Sequence, residues 1–200
     1  MQIDVLFAFL TSVLFLTLLP GPDIIYVFYK SSTSGFKEAA KLSIGLTSGL
    51  LIHTLFVVLG ISALIKSNQD YFELIKYFGF IYFTYLALSQ FINKNKRDNN
   101  RNEGKNSFVT GLLMNLLNPK VSIFFIAFLP GFIFHNDLDV NIQFLILGFI
   151  FWLIATLIFF TISYFSNFLK PKFENFMKSK ESIFIQGIIF QSIAVYILLG

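Results

Sequence analysis

Two short runs hold the residues that could do chemistry in this chain: Pro20-Gly21-Pro22-Asp23 and Asn118-Pro119-Lys120. Each places an ionisable side chain beside prolines inside an otherwise apolar stretch. Pro20 and Pro22 remove two backbone donors and leave the carbonyls one turn earlier, near Leu16 and Leu18, without helical partners. In hydrocarbon each orphan costs several kcal/mol, so this backbone must face protein or a water-filled space. Asp23 stands just beyond the break, where freed N–H groups or a cation can hold its charge. In the second run Pro119 frees the carbonyl of Asn115, and Gly111, Asn115 and Asn118 follow at i, i+4 and i+7 to give one small, polar helix face. A lysine near a bilayer midplane costs roughly 2.5–3.5 kcal/mol, so Lys120 needs a partner. The expectation is that Asp23 and Lys120 lie near each other. The competing readings are a proline kink that only shapes packing and a lysine that snorkels to the interface.

The elements that must position these groups are membrane spans. Of 200 residues, 56% are hydrophobic and 13% charged, where a soluble domain carries about 25% charged residues. Six apolar stretches are each long enough to cross a bilayer at about 20 residues per span. They run Ile3 to Tyr29, Leu42 to Ile65, Phe72 to Ile92, Phe108 to Phe134, Val140 to Phe168 and Ile183 to Leu199. Their apolar residues surround every side, unlike the alternating, half-length strands of a β-barrel. The most polar interval divides the chain into residues 1–92, a basic linker 93–107 and residues 108–200. Three spans on each side is an odd number, so related halves would enter the membrane from opposite sides. The expected fold is all-α and integral to the membrane, with six helices as two inverted three-helix repeats.

Basic residues set the orientation. Lys30, Lys37 and Lys41 fall in connection 1–2, Lys94, Lys96, Arg97, Arg101 and Lys105 in connection 3–4, and Lys170, Lys172, Lys178 and Lys180 in connection 5–6. Only Lys66 and Lys76 fall on the other side, in connection 2–3. This split places both termini outside and accounts for the net charge of +4 as topology and contact with the lipid bilayer, with no nucleic-acid partner. The segment from Lys170 to Lys180, with Pro171 at its start, reads as a basic surface loop.

Further polar positions carry weaker signals. His53 follows Gly45 and Gly49 at i+8 and i+4, on one side of span 2. It reads either as a proton relay or as a histidine bonded to a neighbouring helix carbonyl. The Gly45/Gly49 pair packs span 2 closely against another helix of the same chain, with a homodimer interface as the alternative use. His135, Asp137 and Asp139 are too sparse to define a metal site, and Pro130 marks a further break at the end of span 4. The chain has no cysteine, no phosphate-binding G-x-x-x-x-G-K-[ST] loop and no paired catalytic motif. The expectation is therefore a protein that is not an enzyme and needs no cofactor or metal. Broken helices in both halves, with charges at the breaks, describe a secondary transporter.

Pro20-Gly21-Pro22-Asp23, Gly45-x-x-x-Gly49, Gly111-x-x-x-Asn115-x-x-Asn118-Pro119-Lys120 and Leu129-Pro130-Gly131 stand in the order and spans of the LysE/RhtB family of amino-acid exporters, which this chain resembles over essentially its whole length. Gly131 departs from the glutamine common there. The resemblance implies export of amino acids or their derivatives across the bacterial cytoplasmic membrane, driven by proton antiport. Asp23, Lys120, Asn115 and Asn118 would then hold substrate or couple the proton. A zwitterion suits such a pair: Lys120 for its carboxylate, Asp23 and freed carbonyls for its ammonium. The alternative is a transporter of inorganic cations on a related six-helix plan.

Overall fold

The structure is a computed structural model that describes residues 2–19, 21–61, 69–92 and 106–199. Pro20, Lys66 and linker residues 93–105 lie outside the described residues, as do the side chains of Lys170, Lys172 and Lys178. Of the described residues 91% are helical, and no strand occurs among them. Helix α1 is Ile3–Leu18 and α2 is Pro22–Phe56, extended by a π-type turn at Val57–Ile61. Then come α3 (Gln69–Ile92), α4 (Ser107–Leu116) and α5 (Pro119–Ile123). From α5 the chain runs through a π-type turn, Phe124–Phe128, and a 3-10 turn, Leu129–Phe132, to α6 (Val140–Lys178) and α7 (Lys180–Leu199).

Each expected break is a helix end. Leu19 leaves the helical region at ψ 124°, and Gly21 is extended before Pro22 restarts the helix at its first position. Asn118 is likewise extended, and its side chain caps α5 by accepting from the Lys120 N–H at 3.0 Å. α4 and the run from Pro119 to Phe132 meet at a 49° bend.

Three expectations from the sequence need correcting. Connection 1–2 is not a loop: the helix continues to Gly35, turns there at φ 81°, ψ 172°, and resumes at once. Only glycine adopts that φ without strain, so one residue makes a corner that elsewhere takes several. The basic loop from Lys170 to Lys180 is not a loop either, because α6 runs through Pro171 and ends at Ser179. A proline there forfeits one backbone bond while the rest of the ladder holds. Lys76 lies inside α3 and not in a connection: it is buried and donates to Glu73 Oε1 at 3.0 Å.

Pro22–Gly60, Val140–Ser166 and Lys180–Leu199 are each long and apolar enough to cross a membrane, and the bent pair Ser107–Leu116 and Pro119–Phe132 passes together as a fourth. α1 has 16 residues and is apolar but shorter. Phe7, Tyr85, Phe149 and Leu157 are all more than half exposed, so bulky apolar groups coat the outside as lipid requires.

Between helices in lipid the water-driven hydrophobic effect is weak, and close packing must hold the bundle. Two features supply it. Glycines let α2 and α4 cross backbone to backbone: a Cβ at Gly45 would collide with the Phe108 carbonyl, and one at Gly111 with that of Leu42. Gly49 accepts the Asn115 side chain in the same way. The second feature is an aromatic ladder: Phe125 stacks on Phe151 (5.3 Å, 6°), Phe128 meets Phe132 at 4.7 Å, and Phe132 stacks on Tyr196 (4.7 Å, 8°). Such pairs contribute about 0.5–1.5 kcal/mol each beyond the area they bury.

Candidate functional site

The two breaks meet. Asp23, in the first turn of α2, is 6% exposed, and its Oδ2 accepts from Asn118 Nδ2 at 3.0 Å. Asn118 thus works at both ends: the amide nitrogen holds Asp23 and the amide oxygen caps α5. Lys120 Nζ turns toward the first break, where it donates to the Leu16 carbonyl at 3.3 Å and lies against Gly21. That carbonyl is the one a proline at position 20 leaves without its helical donor. Asp23 and Lys120 border one small cavity, yet among the described residues no ion pair within 4.0 Å joins them.

The other freed carbonyl is treated alike. Asn115 O, which cannot bond to Pro119, accepts from the Asn118 N–H at 3.1 Å and lies 3.4 Å from His53 Nε2. The imidazole also stacks on Phe125 at 5.4 Å. The breaks are therefore completed reciprocally: Lys120 reaches back to Leu16, and His53 reaches forward to Asn115.

The cavity is lined by Leu16, Thr17 and Gly21 from the first break, by Asp23, Ile24 and Leu50 of α2, and by Asn115, Lys120 and Val121 around the second break; α6 closes it. Its free volume is about 20 Å³, room for a water and not for an amino acid. Two buried acceptors beside it have no hydrogen-bond partner, Asp23 Oδ1 and Asn115 Oδ1. Unpaired buried oxygens are costly, about 1–3 kcal/mol each and more when charged. On the same lining is the Lys120 ammonium, which has three N–H groups and makes one bond, to the Leu16 carbonyl.

Pro130 and Gly131 sit in the 3-10 turn, away from this cavity, and the Tyr196 hydroxyl donates to the Gly131 carbonyl at 3.3 Å. In the loop before α6, the Asp137 N–H donates to His135 Nδ1 and Asp139 caps the helix through the Asn141 N–H. Gln143 locks that loop: its Oε1 accepts from the Phe134 and His135 N–H groups, and its Nε2 donates to the His135 and Leu138 carbonyls, all within 2.9 Å.

A second polar cluster had no sequence signal. Ser31 donates to the Ser163 carbonyl (2.6 Å), Ser166 donates to Ser31 (2.6 Å), and the hydroxyls of Ser43 and Ser163 lie 3.2 Å apart. Ser31 and Ser43 flank the Gly35 corner, so these bonds tie both arms of α2 to α6. The pair of buried Lys76 with the half-exposed Glu73 was missed as well, although its i, i+3 spacing is readable.

An apolar exterior, helices of spanning length and a charged cavity at paired helix breaks define a helical membrane protein of the transporter class. The chain belongs to the LysE type translocator family, whose model matches residues 14–200. It is 31% identical over 163 residues to an uncharacterized membrane protein of Bacillus subtilis (strain 168), YrhP, covering 75% of this chain and 77% of that one. It is also 31% identical over 147 residues to a homoserine/homoserine lactone efflux protein of Salmonella typhi, covering 71% of this chain and 70% of that protein. No solved structure matches the chain significantly.

Proposed function

We propose that this protein is a secondary exporter of amino acids or their derivatives in the bacterial cytoplasmic membrane, working by proton antiport. The observation that carries the reading is the make-up of one small cavity: its lining joins the Asp23 carboxyl, whose Oδ1 has no partner, to the Lys120 ammonium and the Asn115 amide. An α-amino acid presents the complementary pair, an ammonium with three donors and a carboxylate with two acceptors. Lys120, keeping its bond to Leu16, has two donors for the carboxylate. Asp23 and Asn115 accept from the ammonium, while Asn118 fixes the Asp23 carboxylate in place.

The same residues provide the coupling. Asp23 is the one carboxyl group on the described lining, so an arriving ammonium and a proton compete for it. Substrate entry thus expels a proton from Asp23, and substrate departure readmits one. The homologue's export of homoserine and its lactone supports a small amine-bearing substrate. The cavity has no room for an amino acid in this structure, so transport widens it and opens it alternately to the two sides. Two broken helices, one in each half, support a plan of six spans in two inverted repeats, and the bias of basic residues supports both termini outside.

Counterflow in proteoliposomes tests the reading, with a panel of labelled amino acids and with or without a pH gradient. Wild type exchanges at least one of them, and exchange drops about 100-fold or more in Asp23→Asn and Lys120→Met, each of which removes a buried charged contact. Normal insertion with wild-type exchange in both variants refutes the assigned roles.

A further inference from the structure

The cavity has a second wall of a different character. Phe151, Ala155 and Phe159 succeed one another at i, i+4 and i+8 on α6, all line the cavity, and none is more than 4% exposed. Leu50 and Val121 complete this wall. Thr17 is the one polar side chain on the lining besides Asp23, Asn115 and Lys120, and its hydroxyl proton is committed to the Val13 carbonyl at 2.7 Å. Once the α-ammonium and α-carboxylate are held, no lining side chain is left to neutralise a second charge, and the side-chain donor that remains, the Asn115 amide nitrogen, belongs to α4 and not to the α6 wall. A side chain carrying its own charge would be buried unpaired.

We propose that the α6 wall is the subsite for the substrate's side chain, that it selects neutral amino acids with apolar side chains, and that Ala155 sets the size accepted. This rests on the cavity being the amino-acid site argued above. The limits of the subsite follow from how its rings are held. Phe151 is fixed, stacked on Phe125 and meeting Phe124 edge-on at 5.3 Å. Phe159, one turn beyond Ala155, is equally buried but has no ring partner among the described residues. Between them Ala155 contributes only a methyl to the lining, so any larger residue there narrows the cavity.

The test is counterflow of wild-type protein loaded in turn with norvaline, leucine, alanine, homoserine, lysine and glutamate. Homoserine and norvaline differ only in a terminal hydroxyl against a methyl, so their ratio reads the polarity of the subsite directly. Norvaline should exceed homoserine on the order of tenfold to a hundredfold, the range by which apolar pockets reject an added hydroxyl. Lysine and glutamate should not exchange. Ala155→Leu should lower leucine exchange relative to alanine by about tenfold or more, and Ala155→Val should do so less strongly. Homoserine, lysine or glutamate exchanging faster than norvaline overturns the side-chain assignment and leaves the amino-acid reading standing. No exchange of any amino acid overturns both. An unchanged leucine-to-alanine ratio in a monodisperse Ala155→Leu or Ala155→Val protein overturns the role of Ala155, and wild-type selectivity decides the rest should either variant fail to fold.

Discussion

Replacing Asn118 by alanine isolates the bridge between the two helix breaks. The side chain makes two contacts, from its Nδ2 to Asp23 Oδ2 and from the Lys120 N–H to its Oδ1, both at 3.0 Å. A hydrogen bond to a carboxylate contributes about 1.5–3 kcal/mol, and loss of an N-cap costs about 1 kcal/mol. Together Asn118→Ala should destabilise the fold by roughly 2.5–4 kcal/mol. For a chain of this size that lowers the thermal midpoint by roughly 5–15 °C. Asp23 then has no hydrogen-bond partner on either oxygen, so exchange should fall further than stability. Asn118→Asp separates the two contacts: the cap survives, and the donor facing Asp23 becomes a second carboxylate. That variant should be unstable and inactive at neutral pH and recover partly as pH falls, because one proton shared between the carboxyls supplies an O–H donor in place of the missing N–H. Thermal unfolding in detergent followed by intrinsic fluorescence, alongside counterflow on the same preparation, reads both quantities. An Asn118→Ala protein that melts within about 2 °C of wild type, less than 1 kcal/mol for this size, and exchanges normally would sink the reasoning.

Two further outcomes concern packing. Gly45→Ala or Gly111→Ala drives a methyl into a backbone carbonyl of the facing helix, and neither α2 nor α4 can yield there. Each should cost about 1–3 kcal/mol or more, seen as a lowered melting temperature; a neutral result would mean that the crossing is looser than described. Gln143→Leu removes four hydrogen bonds at once and leaves two carbonyls and two N–H groups of the loop before α6 without that partner. Hydrogen exchange of residues 133–139 should accelerate markedly while that of α7 stays unchanged.

Much of the site was legible because prolines and charges are informative in so apolar a chain. Pro20 and Pro22 announce a helix end, Asn118-Pro119 announces a cap and restart, and Lys120 at depth demands a partner. The identity of that partner was not legible. Lys120 takes the Leu16 carbonyl while Asp23 takes Asn118, a division that depends on side-chain reach across two helices and not on spacing along one. Gly35 fell in a connection because Lys30, Lys37 and Lys41 interrupt the apolar run between two spans, yet the helix continues on both sides and only the glycine bends. The cluster of Ser31, Ser43, Ser163 and Ser166 was hidden for a simpler reason. Serine in a helix commonly bonds its own backbone, as Ser43 and Ser163 also do, so nothing local marks the ones that reach across.

The reciprocal completion of the two breaks has a consequence for biogenesis. The Leu16 carbonyl depends on an ammonium 104 residues later in the chain. At about 5–20 residues per second of synthesis, roughly 5–20 s pass between the two. Through that interval the leading segment is in the insertion machinery with an open backbone group, which water or the translocon must serve. The first break cannot settle in lipid until the second has been made, so the ribosome's order of delivery makes the centre of the bundle the last part to set.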